Sequence, residues 1–186
     1  MSLPTFKVIL IGDENTGKTS IIHRYTRNSF PEIHFPTPLP DETTQNVNNY
    51  CNLTICDTAG AEEWRSINPV VFRNSNAVIF VSSYDNEQSL CDLKDIWFPM
   101  VNDNLGNDVP AILVVNKDDI DENLKNIEKN QIDQIKTEIN ACEFISVSAK
   151  KNKNVDKLFE LVAKKIAENP PASNQSVVIN DKNTKN

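Results

Sequence analysis

Short apolar runs rich in β-branched residues recur along the chain at Phe6–Ile11, Leu53–Cys56, Ala77–Ser82, Ala111–Val115 and Phe144–Val147. Each has the length of a buried strand, and four lack the polar alternation of a sheet with one wet face. Between them the spacing predicts helices over Lys18–Thr26, Gln88–Asn104, Ile127–Asn140 and Val155–Glu168. The last places Val155, Leu158, Phe159, Val162 and Ile166 on one stripe, with lysines and glutamates opposite. Strands alternating with helices predict an α/β fold, its mostly parallel sheet covered on both faces. Thr44–Tyr50 reads as a weaker, polar edge strand joined by a hairpin to Leu53–Cys56. No internal repeat is present.

The chain has 186 residues, enough for one domain. At 39% hydrophobic and 24% charged it can bury one core, which excludes wholesale disorder. A net charge of −7 argues against binding nucleic acid or an anionic membrane through the whole surface. No apolar stretch is long enough to span a bilayer, and no signal pattern opens the chain. Cys51, Cys56, Cys91 and Cys142 have no metal-site or disulfide-framework spacing, so reduced thiols in a cytoplasmic protein are expected. At Asn169 the character changes. Pro170 and Pro171 end the last helix, so residues 1–168 are expected to form the domain and 169–186 a polar tail or linker.

Candidate chemistry begins at Gly12-Asp13-Glu14-Asn15-Thr16-Gly17-Lys18-Thr19, which matches G-x-x-x-x-G-K-[ST] after a buried strand and before a helix. Glycines at both ends let successive N–H groups and the helix N-terminus point at phosphates. The run Asp13, Glu14, Asn15, Thr16, Gly17, Lys18, Thr19 and Ser20 is therefore assigned to nucleotide phosphates. Lys18 would reach the β- and γ-phosphates, and the Thr19 hydroxyl would ligate Mg²⁺. Asp57-Thr58-Ala59-Gly60 follows the second buried strand. A carboxylate there suits Mg²⁺ coordination through water, and Gly60 permits close approach to a terminal phosphate. Asn116-Lys117-Asp118-Asp119 follows the fourth run. Asp119 can accept two hydrogen bonds from guanine, a pattern adenine does not offer. Asn116 would brace the loops, Lys117 would lay its aliphatic stem on one face of the base, and Phe30 would cover the other side. Backbone N–H groups of Ser148, Ala149 and Lys150 would donate to the guanine O6. The lone His23 and His34 read as helix-surface and loop residues, and Trp97 and Phe98 as packing.

Together GDENTGKT, the threonine of FPT, DTAG, NKDD and SAK resemble the Ras superfamily of small GTPases over residues 5–168. The stretch Glu63–Val81 is similar to the Rab branch and Phe30–Thr37 to the Rho branch. The span from Asp119 to Ser148 is short for the insert usual in Rho proteins, which favours a divergent Rab-like protein. The resemblance implies a P-loop G domain with a six-stranded mixed sheet, one antiparallel edge strand and five helices. It implies a switch that binds GTP or GDP with Mg²⁺ and meets effectors, exchange factors and activating proteins through two switch loops. In it Thr37 would ligate Mg²⁺ and, with Gly60, donate a backbone N–H to the γ-phosphate. Lys18, Thr37 and Gly60 would then be the catalytic group.

Several positions depart from that pattern. The usual water-orienting glutamine is Ala61, whose methyl group neither donates nor accepts. Hydrolysis about 10-fold or more below the family's slow intrinsic rate is expected, which leaves a non-catalytic nucleotide-binding scaffold, or one half of a tandem GTPase, as the alternative. Glu14 adds charge and bulk beside the phosphates. Pro36, Pro38 and Pro40 stiffen switch I. The last cysteine is Cys142, so no prenyl anchor is expected in this sequence. Trp64, Ile67, Val70 and Phe72 would either form a partner-binding surface or pack against the following helix.

Overall fold

The computed structural model describes residues 3–30, 41–58, 69–106 and 108–170. Strands β1 (Thr5–Ile11), β2 (Asp41–Val47), β3 (Cys51–Asp57), β4 (Ser75–Ser83), β5 (Ala111–Asn116) and β6 (Glu143–Ser146) form one sheet in the order β2-β3-β1-β4-β5-β6. Among the described residues only β2 runs antiparallel to its neighbour, as expected for a P-loop GTPase sheet. This edge strand lies about three residues earlier than the Thr44–Tyr50 expectation. Asn48 and Asn49 take left-handed conformations and become the hairpin turn, which suits asparagine. A Thr44–Thr54 hydroxyl pair at 3.0 Å helps hold the cross-strand register.

The helices are α1 (Lys18–Arg27), α2 (Glu87–Asp92), α3 (Phe98–Leu105), α4 (Lys129–Glu138) and α5 (Val155–Glu168). The continuous helix expected over Gln88–Asn104 is interrupted, because Leu93–Trp97 winds as a wider π turn before α3. Pro99 explains the break. It has no N–H to donate, and its ring would crowd the carbonyl four residues back in an ordinary α turn. Five α-helices occur among the described residues, two of them from the one helix expected over Gln88–Asn104. Helix α4 starts at Lys129, two residues later than expected, because Glu128 and Gln131 form a reciprocal capping box. Ile127 and Ile132 are buried in the same cluster beneath that cap.

Alternate strand residues face opposite layers, so the sheet carries two cores. Val8, Leu10, Leu53, Ile55, Ile79 and Val114 pack under α1 and α5, where Tyr25 stacks on Phe159 at 4.0 Å. Ile9, Ile11, Val78, Phe80, Leu113 and Val115 pack under α2–α3 and α4. Because β1, β3, β4, β5 and β6 are parallel, their C-terminal ends share one rim, and the candidate loops leave from it. Strands β3 and β5 run one residue past their apolar runs. Asp57 pairs with Leu10 and Asn116 with Ser83, so both polar residues occupy the last rung of the sheet.

Candidate functional site

The loop from Gly12 to Gly17 connects β1 to α1 and depends on both glycines. A Cβ on Gly12 would stand 2.0 Å from the Val81 carbonyl oxygen, at a φ of +146°. One on Gly17, at φ +91°, would stand 2.3 Å from Asn116 Nδ2. Asn15 takes the left-handed conformation between them. The Thr16 hydroxyl donates to the Asp13 carbonyl at 2.8 Å. Lys18 is buried, and its ammonium donates to the carbonyls of Gly12 at 2.8 Å and Asp13 at 2.7 Å. Burial pulls its pKa down to about 8, against the opposing pull of Asp57, Asp13 and Glu14. No acidic residue stands in the first turn of α1, leaving that N-terminus suited to an anion. Glu14 and Asn15 are exposed, whereas Ser20 is buried in the first turn. Solvent therefore screens the Glu14 charge that the sequence placed beside the phosphates.

Asn116 is 2% exposed and does the bracing expected of it. Its Nδ2 donates to the Thr16 carbonyl at 2.9 Å, and its Oδ1 accepts from the Ala149 N–H at 3.2 Å. One amide thus ties the phosphate loop to the loop after β6. Asp119 lies beside it, and its Oδ1 accepts from the Ser148 hydroxyl at 2.6 Å. That same hydroxyl accepts from the Lys151 N–H at 2.9 Å, which sets its orientation. The Ser148 N–H donates to the Lys153 carbonyl at 3.1 Å. Ser148 and Ala149 thus spend their N–H groups within the protein. Lys117 adopts φ +63°, a conformation that costs most residues about 1 kcal/mol and collects at functional sites. Its ammonium pairs with Asp85 at 2.8 Å. Burial works to raise the Asp85 pKa, but hydrogen bonds led by that of Lys117 outweigh it and hold the carboxylate below its ordinary range.

Asp57 is buried at the end of β3. The Thr58 hydroxyl donates to the Leu10 carbonyl at 2.6 Å, fixing the start of the DTAG loop against β1. No group of three or more His, Cys, Asp or Glu suited to a metal occurs among the described residues. Thr19 and Asp57 supply hard oxygen donors, a set that fits Mg²⁺ completed by water and phosphate oxygens. Phe30 is half-buried against the cluster under α1 and α5, at the end of a described segment. Thr37, Gly60 and Ala61, with Trp64, Ile67 and the tail 171–186, lie outside the described residues. Of the pair between them and α3, Phe72 is buried with Leu93 and Val101 while Val70 is exposed.

Sequence reasoning missed the contacts of three residues. Arg24 of α1 donates to the carbonyls of Ala149 at 2.8 Å, Lys150 at 3.2 Å and Asn28 at 3.0 Å. Asp118 is held by Lys125 at 2.9 Å and by Lys153, tying the loops after β5 and β6 together. Burial again works to raise Asp118, and the two lysines outweigh it and hold its pKa below the ordinary range. Trp97 packs in the core as expected, and in addition its indole N–H donates to Asp13 Oδ1 at 2.7 Å. A buried indole needs such a partner, which was the available signal.

A mostly parallel sheet with a glycine-framed loop of the phosphate-binding pattern, a rim carboxylate and an amide bracing that loop to the loop after β6 defines a P-loop nucleotide-binding protein. The sequence pattern of the Ras family matches residues 7–168, and the chain belongs to that family of GTP-binding switch proteins. It is 31% identical to the Ras-related protein Rab-21 of Homo sapiens, over 88% of this chain and 73% of that protein. It is 30% identical to the Ras-like GTP-binding protein RhoL of Drosophila melanogaster, over 91% of this chain and 90% of that protein. Against a GTP-binding RHO-like protein of Candida albicans it is 34% identical, over 82% of this chain and 44% of that protein. Among the described residues, no helix is long and apolar enough to cross a membrane.

Proposed function

We propose that residues 1–168 form a guanine-nucleotide switch that binds Mg²⁺–GTP and GDP, hydrolyses GTP slowly and recruits partners through its two switch loops, in vesicle trafficking or cytoskeletal signalling. The observation that carries this reading is the Asn116 side chain, bonded at once to the phosphate loop and the loop after β6. It sets the separation of the groups that would hold the triphosphate and the base. Asp119, oriented by Ser148, would accept from the guanine N1–H and exocyclic amine. Lys117 and Phe30 would flank the base, with Lys150 beside it. The N–H groups of the phosphate loop, with Lys18, would hold the phosphates, and Thr37 and Gly60 would close on the last of them.

Thr19, Thr37 and, through water, Asp57 would hold Mg²⁺, which would supply charge neutralisation at the phosphates. The chain's own work would be to orient the phosphates and, through Asp119, to reject bases that lack guanine's pair of donors. Ala61 cannot orient an attacking water, which supports turnover about 10-fold or more below that of relatives with glutamine there. The same substitution favours the second reading, a scaffold that holds nucleotide without turning it over.

Titration of the purified chain with fluorescent GDP, GTP and ATP analogues tests this. Guanine analogues should bind at least about 100-fold more tightly than adenine, and chelation of Mg²⁺ should speed their release. Equal binding of adenine would overturn it. Single-turnover phosphate release separates the slow switch from the scaffold.

A further inference from the structure

Trp97 stands where two parts of the molecule meet. Its indole is 2% exposed and packs in the same buried cluster as Leu93, Val101, Val71 and Phe72. Its Nε1–H leaves that cluster and reaches a carboxylate oxygen of Asp13, a residue 84 positions earlier in the phosphate loop. The π turn over Leu93–Trp97 precedes Pro99 and sets the rotation of the indole about the helix axis. Asp13 is engaged from both ends. Its carboxylate takes the indole N–H, while its carbonyl takes the Lys18 ammonium at 2.7 Å and the Thr16 hydroxyl at 2.8 Å.

We propose that Trp97 is a positioning residue for nucleotide binding, pinning Asp13 so that the Asp13 carbonyl holds Lys18 and Thr16 in the phosphate-binding arrangement. This rests on the nucleotide-binding reading and adds to it a residue from outside the loops that line the site. A hydrogen bond to an ionised acceptor is among the stronger ones, and here the donor is buried. The pin also holds the carboxylate of residue 13 on the Trp97 indole. The charged groups acting on Asp13 are Asp92, which opposes its ionisation, and Lys18, which favours it.

The test is a double-mutant cycle on release of a fluorescent GDP analogue, using wild type, Trp97→Phe, Asp13→Ala and the double variant. Trp97→Phe keeps an aromatic ring and removes the donor. It should speed release about 10-fold, and in the Asp13→Ala background it should add less than about 2-fold. Multiplicative single effects, or unchanged release in Trp97→Phe, would overturn the proposal and leave Trp97 as packing alone. The indole N–H resonances in a ¹H–¹⁵N spectrum give a readout that does not need the core variant to fold. Asp13→Ala, a change in a half-exposed loop residue, should move the Trp97 indole proton upfield, and an unmoved resonance would count against the contact. Failure of wild type to bind guanine nucleotide would instead sink the underlying functional reading.

Discussion

Replacing Asn116 by alanine removes two hydrogen bonds from one buried point between the phosphate loop and the loop after β6. The Thr16 carbonyl loses its donor at 2.9 Å and the Ala149 N–H loses its acceptor at 3.2 Å, and both residues are buried. A buried backbone group left without a partner costs about 1–3 kcal/mol. Water entering the vacated space recovers part of that, so the pair together should cost about 3 kcal/mol. With a denaturant slope of about 2 kcal/mol per molar, the urea midpoint should fall by about 1.5 M. Asn116→Asp keeps the shape and the acceptor for Ala149, yet sets a second oxygen against the Thr16 carbonyl and buries a charge. At neutral pH it should cost more than the alanine variant, and the gap should narrow in acid, where a protonated carboxyl can donate to Thr16. Both variants should also release guanine nucleotide faster. An alanine variant within about 0.5 kcal/mol of wild type would refute the bracing role, as would an aspartate variant of wild-type stability.

Three further outcomes are expected, two from the geometry of the phosphate loop and one from the sequence at Ala61. Gly12→Ala drives a Cβ to 2.0 Å from the Val81 carbonyl in the central strand β4, so a loss of about 3 kcal/mol or more in thermal or urea unfolding is expected. Burial pushes the Asp13 carboxyl up to about 6 from an ordinary 3.8, with Asp92 adding to the rise and Trp97 and Lys18 opposing it. Its contribution to stability is therefore complete below about pH 3.8 and lost as pH rises through about 6. Asp13→Asn, which cannot ionise, should accordingly be more stable than wild type at pH 8, by about 1 kcal/mol after solvent screening of this half-exposed group, and should lose that advantage by about pH 4. An advantage that grew in acid would reverse the assigned sign. If Ala61 limits hydrolysis as proposed, Ala61→Gln should raise single-turnover GTP hydrolysis about 10-fold, and an unchanged rate would refute that role.

Much of this protein is written in local sequence. Short, β-branched, unbroken runs such as AVIFVS and AILVV have the length and composition of strands buried on both faces, and helical stripes between them favour a parallel sheet. The phosphate loop was equally legible, because its glycines serve backbone geometry that no other residue tolerates, and the contact of a Gly12 Cβ with Val81 bears this out. Asn116 could be anticipated as a brace from its place at the end of a strand. What it braces, and at what distance, depended on loops 100 and 33 residues away in sequence.

The tertiary structure alone decided the rest, since a hydrogen bond between distant residues leaves no periodic trace. Arg24 lies among ordinary polar positions of α1, and only the packing of that helix beside the loop after β6 turns its guanidinium onto the Ala149 and Lys150 carbonyls. Asp118 reads as a spare acidic residue until Lys125 and Lys153 converge on it. Trp97 fits the apolar stripe of a continuous helix, and its sequence context says core. A π turn ahead of Pro99 rotates it so that its ring stays in the core while its one polar atom leaves it for the phosphate loop. Local propensity sets which segments become strands and helices, but which polar atoms find one another is settled only when those segments share a rim.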